Sequence, residues 1–283
     1  MSIRRVLRQH AAQRDDIGDL VTRRPVPGPG IEHLDPFLFL NHHGPQVYAP
    51  GNGGLPFGPH PHRGFETVTF ILDGELAHGD SGGHESVIGA GGVQWMTAGS
   101  GLVHAELSPR GFLERGGPLE ILQLWVNLPA RLKMTAPAYK GLDAADIPVV
   151  EAADGGSRVQ VVAGAFGGSE GPFHSLTGLT MLVVTLAPGA TLDLPAPAGR
   201  TVFLYTVKGA PVVSGTAVRE HSLAVLGDGD TVPVAAEGET ILLFGHGEPF
   251  REPIVAHGPF VMNSRAEIVQ AVRDYESGRL GAL

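Results

Sequence analysis

Hydrophobic positions in this chain gather in short runs at 65–72, 92–96, 119–126, 159–162, 180–186, 202–207, 223–226 and 240–244. The runs favour Val, Ile, Leu, Thr and aromatic residues. Between them lie turn formers such as Asp73-Gly74, Ala187-Pro188-Gly189 and Gly227-Asp228-Gly229-Asp230. Short β-prone segments punctuated in this way predict the strands of a sandwich or barrel. One stretch near the end follows a different period. Ser264 and Glu267 form a capping box, and Ile268, Val272 and Tyr275 recur at helical spacing before Gly278, which predicts a helix packed on a barrel wall.

The strand pattern occurs twice. Residues 67–74 (TVTFILDG) match 202–209 (VFLYTVKG) with Gly74 and Gly209 in register, and Gly89-Ala-Gly-Gly92 resembles Gly227-Asp-Gly-Asp230. The chain therefore reads as all-β, two tandem copies of one β-barrel. The stretch around 128–148 holds Pro129, Pro137 and a turn at Gly141, which predicts a connection. The expected division is an N-terminal barrel at 1–135, a linker at 136–148, and a C-terminal barrel with the terminal helix at 149–283.

Composition supports a turn-rich globule: of 283 residues, 41 are Gly and 23 Pro, with 42% hydrophobic and 17% charged. That is too apolar for disorder. The net charge of −9 opposes attraction to phosphate backbones or anionic bilayers, so direct nucleic-acid and membrane binding are not expected. Arg4, Arg5, Arg8 and Arg14 form one mild basic cluster, read as a solvated face. No cysteine is present, which removes disulfides, thiolate ligands and thiol nucleophiles. The first 16 residues lack a signal-like apolar core and no stretch approaches the roughly 20 apolar residues of a membrane span, so a cytoplasmic protein is expected.

Candidate chemistry sits at two sequence pairs. His60-Pro61-His62 and His104-Ala105-Glu106 each place two ligand-type side chains at i and i+2, on one face of a strand. Burying three imidazoles and a carboxylate without partners would cost several kcal/mol, so their convergence points to an ion that offsets the desolvation. Three nitrogens and one oxygen favour a divalent transition ion over Mg²⁺ or Ca²⁺. Iron(II) is the first choice, with Zn, Mn, Ni, Co and Cu as alternatives. Four protein ligands leave two octahedral positions open, whereas zinc could use the same four as a closed tetrahedral site. His42-His43 and the pair His78 and His84 lack firm strand context and are read as structural or adventitious. Trp95 and Met96 read as core, and Phe57, Arg63 and Phe65 are pocket candidates only because they flank the ligands.

The HxH of His60 and His62 with Glu66, followed by Gly101 to His104, resembles the two-part signature of cupin barrels. More narrowly, 60–69 (HPHRGFETVT), 94–101 (QWMTAGSG), 104–106 (HAE), 123–128 (QLWVNL) and 258–263 (GPFVMN) resemble the pirins, as does 34–37 (LDPF). The resemblance spans nearly the whole chain. It implies two tandem cupin barrels of jelly-roll type with a C-terminal helix, and an iron-type ion held in the first barrel by His60, His62, His104 and Glu106. Many cupins take the carboxylate from the first motif, here Glu66. The pirin pattern prefers Glu106 and leaves Glu66 to orient a ligand imidazole. One departure is Asn41-His42-His43 after the Asp-Pro-Phe segment, where the family often has an acidic residue.

Carried through the repeat, Gly74 to Gly209 sets Pro195, Pro197 and Thr201 opposite His60, His62 and Glu66. Gly89 to Gly227 sets Leu242 and Phe244 opposite His104 and Glu106. No ligand survives, so the second barrel is expected to be metal-free, with His221, His246 and His257 structural. The resemblance also implies two alternative functions. Some bacterial pirins resemble quercetin 2,3-dioxygenases, in which a flavonoid or other small aromatic substrate is opened by O2; Glu106 would then be the catalytic base. Other pirins look like iron-dependent redox-sensing regulators that bind a transcription factor or metabolic enzyme.

Overall fold

The computed structural model describes residues 2–152 and 155–283. They form two compact units. One contains Arg14–Arg23, Phe37–Ala144 and Phe250–Leu283; the other contains the N-terminal residues to Gln13, Arg24–Pro36 and Ala145–Pro249.

In the first unit one sheet carries the strands Ala138–Leu142, Val93–Thr97, Phe65–Asp73, Gly117–Asn127 and Phe37–Tyr48 in that order. A four-stranded sheet carries Phe57–His62, Leu102–Leu107, Glu75–Asp80 and Glu85–Gly89. The second unit repeats the arrangement. Its larger sheet runs Val6–Ala11, Ser222–Leu226, Thr201–Lys208, Thr240–Gly247, Thr180–Leu186, Ser157–Ala163 and Val149–Glu151, and its smaller one Thr191–Pro195, Thr231–Ala235, Val212–Val213 and Thr216–Ala217. Each is a jelly-roll barrel of paired antiparallel sheets. No helix among the described residues is long and apolar enough to cross a membrane.

The units depart from the consecutive blocks expected at 1–135 and 149–283. The N-terminal strand Val6–Ala11 pairs antiparallel with Ser222–Leu226, so it belongs to the second barrel. The helix Arg265–Glu276 belongs to the first, where Ile268 and Ala271 pack with Val103, Phe260, Met262 and Leu280. Ser264 caps it through Glu267 N, as the capping box predicts.

The expected linker at 136–148 is likewise mostly part of the first barrel, which runs on to Ala144, and its last four residues belong to the second. Ala138–Leu142 pairs with Val93–Thr97, with Tyr139 opposite Met96 and Gly141 opposite Gln94. Gly141 read as a turn signal, yet its role is steric: a Cβ there would meet the Tyr139 hydroxyl at 2.8 Å and Ile88 at 2.9 Å. A strand at the sheet edge tolerates such a residue better than an inner one.

Arg4 also departs from the solvated-face reading. It is 1% exposed, and its guanidinium donates to the carbonyls of Ala196, Pro197, Arg200 and Gly227. The buried cation thereby ties two loops of the second barrel.

Candidate metal centre

His60 and His62 stand on the strand Phe57–His62, at the edge of its four-stranded sheet. An edge position tolerates Pro59 and Pro61, which lack an N–H. The neighbouring strand Leu102–Leu107 sets His104 directly opposite His60 and Leu102 opposite His62. Three imidazoles therefore meet. Ring centroids lie 4.8 Å apart for His60 and His62, 4.3 Å for His60 and His104, and 4.9 Å for His62 and His104. One ligand atom from each can be chosen so that all lie within 4.8 Å of one another. Among the described residues no other three His, Asp or Glu groups meet in this way.

The hydrogen bonds orient two of the rings. His60 Nδ1 lies 2.7 Å from the Gly58 carbonyl and His62 Nδ1 lies 3.3 Å from that of Pro259. A carbonyl only accepts, so each Nδ1 donates and Nε2 is the ring nitrogen left for an ion. His104 is fully buried, and neither of its ring nitrogens has a hydrogen-bond partner. Burial, reinforced by His60, pushes the His62 pKa down to about 3. Burial and then the neighbouring imidazoles hold His104 well below the ordinary histidine value. Three converging imidazoles, one of them with both buried nitrogens orphaned, fit a metal ion, which would satisfy them.

Glu106 shares the interior face with His104 and is 2% exposed. It is not one of the three converging groups. Its Oε1 accepts from Thr69 Oγ1 at 3.1 Å and from Gln94 Nε2, and its Oε2 accepts from Gln123 Nε2 at 2.5 Å. These donors form a row across three strands, since Thr69 pairs with both Gln94 and Gln123. Gln94 and Gln123 open two of the pirin-like runs, 94–101 and 123–128, whose sequence alone gives them no role. Polar residues at alternate positions inside otherwise apolar strands were the available signal.

Glu66 occupies the opposite face. Cross-strand partners share a face, and Glu66 is opposite Thr97, whose Oγ1 donates to its Oε1 at 2.7 Å. Thr69, three residues on, faces the interior and Glu106. The expectation that Glu66 orients a ligand imidazole assumed unbroken alternation from His62. Gly64 interrupts it, with φ +89° and a virtual Cβ only 2.0 Å from the Val261 carbonyl oxygen. Burial raises the Glu66 pKa to about 7 against the lowering effect of Thr97 and Trp95 hydrogen bonds.

Other sequence candidates have local roles. His78 is a strand residue, not a loop one; it is buried 5.5 Å from the His104 ring, with Nε2 3.0 Å from Asp80 Oδ2. His84, half exposed, reaches the same carboxylate at 3.0 Å. His42 Nε2 lies 2.8 Å from Glu120 Oε1, and His43 Nδ1 lies 2.9 Å from Thr22 Oγ1. Phe65 packs on Trp125 with centroids 4.4 Å apart, Trp125 stacks on Phe39 at 4.7 Å, and both Phe65 and Trp125 border the His62 ring. This is an aromatic wall beside the histidines.

The second barrel carries no such cluster among the described residues. The sequence register placed its second-motif mates at Leu242 and Phe244, one strand too far along. Gly227–Asp230 follows Ser222–Leu226, the counterpart of Val93–Thr97, whereas Gly89–Gly92 precedes Val93–Thr97. The counterpart of Leu102–Leu107 is Thr231–Ala235, whose Val232 and Val234 join Leu194 in an aliphatic core. His246 points the same way as Phe244 and is buried; burial and then Arg200 push its pKa down to about 3.

Comparison with known proteins agrees with this geometry. Residues 19–126 match the Pirin family model and residues 181–281 match the Pirin C-terminal cupin domain. The chain is 43% identical over 249 residues to a Pseudomonas aeruginosa protein named, provisionally, a quercetin 2,3-dioxygenase, covering 88% of this chain and 87% of that one. It is 40% identical to a pirin-like protein of Caulobacter vibrioides, covering 99% and 100% respectively. A crystal structure of quercetin 2,3-dioxygenase from Acinetobacter baumannii superposes with a TM-score of 0.93 at 36% identity, over 99% of each chain. With this fold, the three-histidine site suggests a single metal ion.

Proposed function

Because the chain belongs to the pirin family, we propose that its first barrel is a flavonol-type ring-cleaving dioxygenase built on one iron(II)-type ion, with His60, His62, His104 and Glu106 as the residues that hold it. The observation that carries the proposal is the convergence of three imidazoles, one with both nitrogens unpartnered, beside a buried carboxylate. The 43% and 36% identical relatives named for quercetin dioxygenation support the substrate class.

A bound ion would supply a Lewis-acidic position for a substrate hydroxyl oxygen and for dioxygen. The protein supplies the rest. His60 and His62 are held as Nε2 donors by the Gly58 and Pro259 carbonyls. Glu106 is held on the interior face by the neutral donors Thr69, Gln94 and Gln123. It can accept the proton of a flavonol hydroxyl delivered beside His104. Trp125 and Phe39, partly exposed and backed by the buried Phe65, offer an apolar surface on the His62 side, which suits a planar aromatic substrate.

The test is anaerobic purification, loading with Fe(II), and measurement of quercetin absorbance together with oxygen uptake and carbon monoxide release. Turnover well above that of free Fe(II) is expected. Full iron occupancy with no turnover beyond free Fe(II) would reject the flavonol assignment.

A further inference from the structure

Tyr139 lies outside every sequence motif and outside the expected barrel boundary, yet it is tied to the carboxylate of the centre. Its ring stacks on His78 with centroids 3.9 Å apart and planes 11° from parallel. Its hydroxyl lies 2.5 Å from Ser86 Oγ and donates to Gln94 Oε1 at 3.1 Å. The other end of the Gln94 amide donates to Glu106 Oε1.

We propose that Tyr139 is a positioning residue for Glu106, acting through Gln94: the phenol hydroxyl anchors the amide oxygen and so holds the amide N–H against the carboxylate. A phenol has one proton to give. If Tyr139 spends it on Gln94, Ser86 must be the donor to Tyr139, and the chain has one direction: Ser86 to Tyr139 to Gln94 to Glu106. Donors aligned in this way polarise one another. Burial raises the Tyr139 pKa to about 12, the Ser86 bond opposing, so the hydroxyl keeps its proton at any working pH.

Two further features preserve the arrangement. His78 fixes the ring from one side and is itself held by Asp80. Gly141 leaves the space the hydroxyl occupies, since a Cβ there would lie 2.8 Å from it. Without the hydroxyl, Gln94 Oε1 would lose its partner in the barrel interior and the amide would swing. One of the three hydrogen bonds on Glu106 would then be released, and the carboxylate would reorient relative to the histidines. Only the turnover arm of the test rests on the flavonol reading.

The experiment compares the full-length protein with Tyr139→Phe, which keeps the ring on His78 and removes only the hydroxyl. Each is loaded with Co(II) as a spectroscopic probe and, separately, with Fe(II). Tyr139→Phe is expected to retain one metal per chain, to shift the visible d–d bands of Co(II), and to lower kcat for quercetin about 10-fold with KM changed less than about 2-fold. Unchanged Co(II) bands would overturn the proposal. Shifted bands with an inactive wild type would uphold Tyr139 and reject the flavonol substrate; an active wild type with unchanged bands would do the reverse. If Tyr139→Phe fails to fold, Gly141→Ala carries the test by crowding the hydroxyl, with the same band shift expected and its absence equally decisive.

Discussion

Glu66 gives the sharpest test of how the first barrel is built, because it is a motif carboxylate that the structure removes from the metal centre. It is 1% exposed and its pKa is raised by burial from 4.5 to about 7. The folded state therefore holds the Glu66 proton more tightly than the unfolded one, and stability from this group falls as pH rises from 4.5 through 7. At about 1.4 kcal/mol per pH unit, ionised Glu66 costs the fold about 3 kcal/mol at pH 8. His62 has the opposite sign: its depressed pKa of about 3 makes stability rise with pH between about 3 and 6.5, so the two overlap in the wild-type profile. Glu66→Gln separates them. The variant retains an oxygen for Thr97 and cannot ionise, so the ionisation part of its advantage over wild type should be below about 1 kcal/mol at pH 5 and approach about 3 kcal/mol at pH 8. Urea unfolding of the chelated proteins at both pH values measures this difference. A gap that does not change with pH would refute the buried, proton-holding environment, and loss of metal stoichiometry in Glu66→Gln would restore Glu66 to the ligand set.

Three other substitutions test the division between the barrels. His104→Ala should abolish stoichiometric metal binding while His246→Ala should leave it intact, as read by metal analysis after Fe(II) loading; the reverse would exchange the roles of the barrels. Arg4→Met removes the donors to four carbonyls of the second barrel and should lower stability by about 3 kcal/mol without changing metal content, measured by denaturant unfolding and metal analysis; an unchanged midpoint would make Arg4 dispensable.

The sequence is most informative where the determinants are local. Strand runs, turn residues and the Ser264–Glu267 cap lie within a few residues of their partners, and the i, i+2 pairs project their side chains without knowledge of the rest of the fold. His60, His62 and His104 were legible for that reason. The boundaries were not, because membership of a barrel is decided by pairing between distant segments. Nothing within Val6–Ala11 states that its partner is Ser222–Leu226, and nothing within Ala138–Leu142 distinguishes an edge strand containing Gly141 from a turn.

The same distinction explains the surroundings of Glu106. Its alternation with His104 is local, but Thr69, Gln94, Gln123 and Tyr139 come from four other strands and meet only through register. A register error of one strand was enough to choose Leu242 and Phe244 in place of Val232 and Val234 in the second barrel. Because both alternatives are apolar, that error left the metal-free expectation unchanged. In the first barrel a slip of even one residue would have exchanged donors for hydrophobic side chains, since Gln94 and Gln123 have apolar neighbours on either side. A polar site assembled across strands is thus far less tolerant of register than the aliphatic core that replaces it in the repeat. The ligand motifs identify where such a site begins; the paired strands determine what holds its carboxylate.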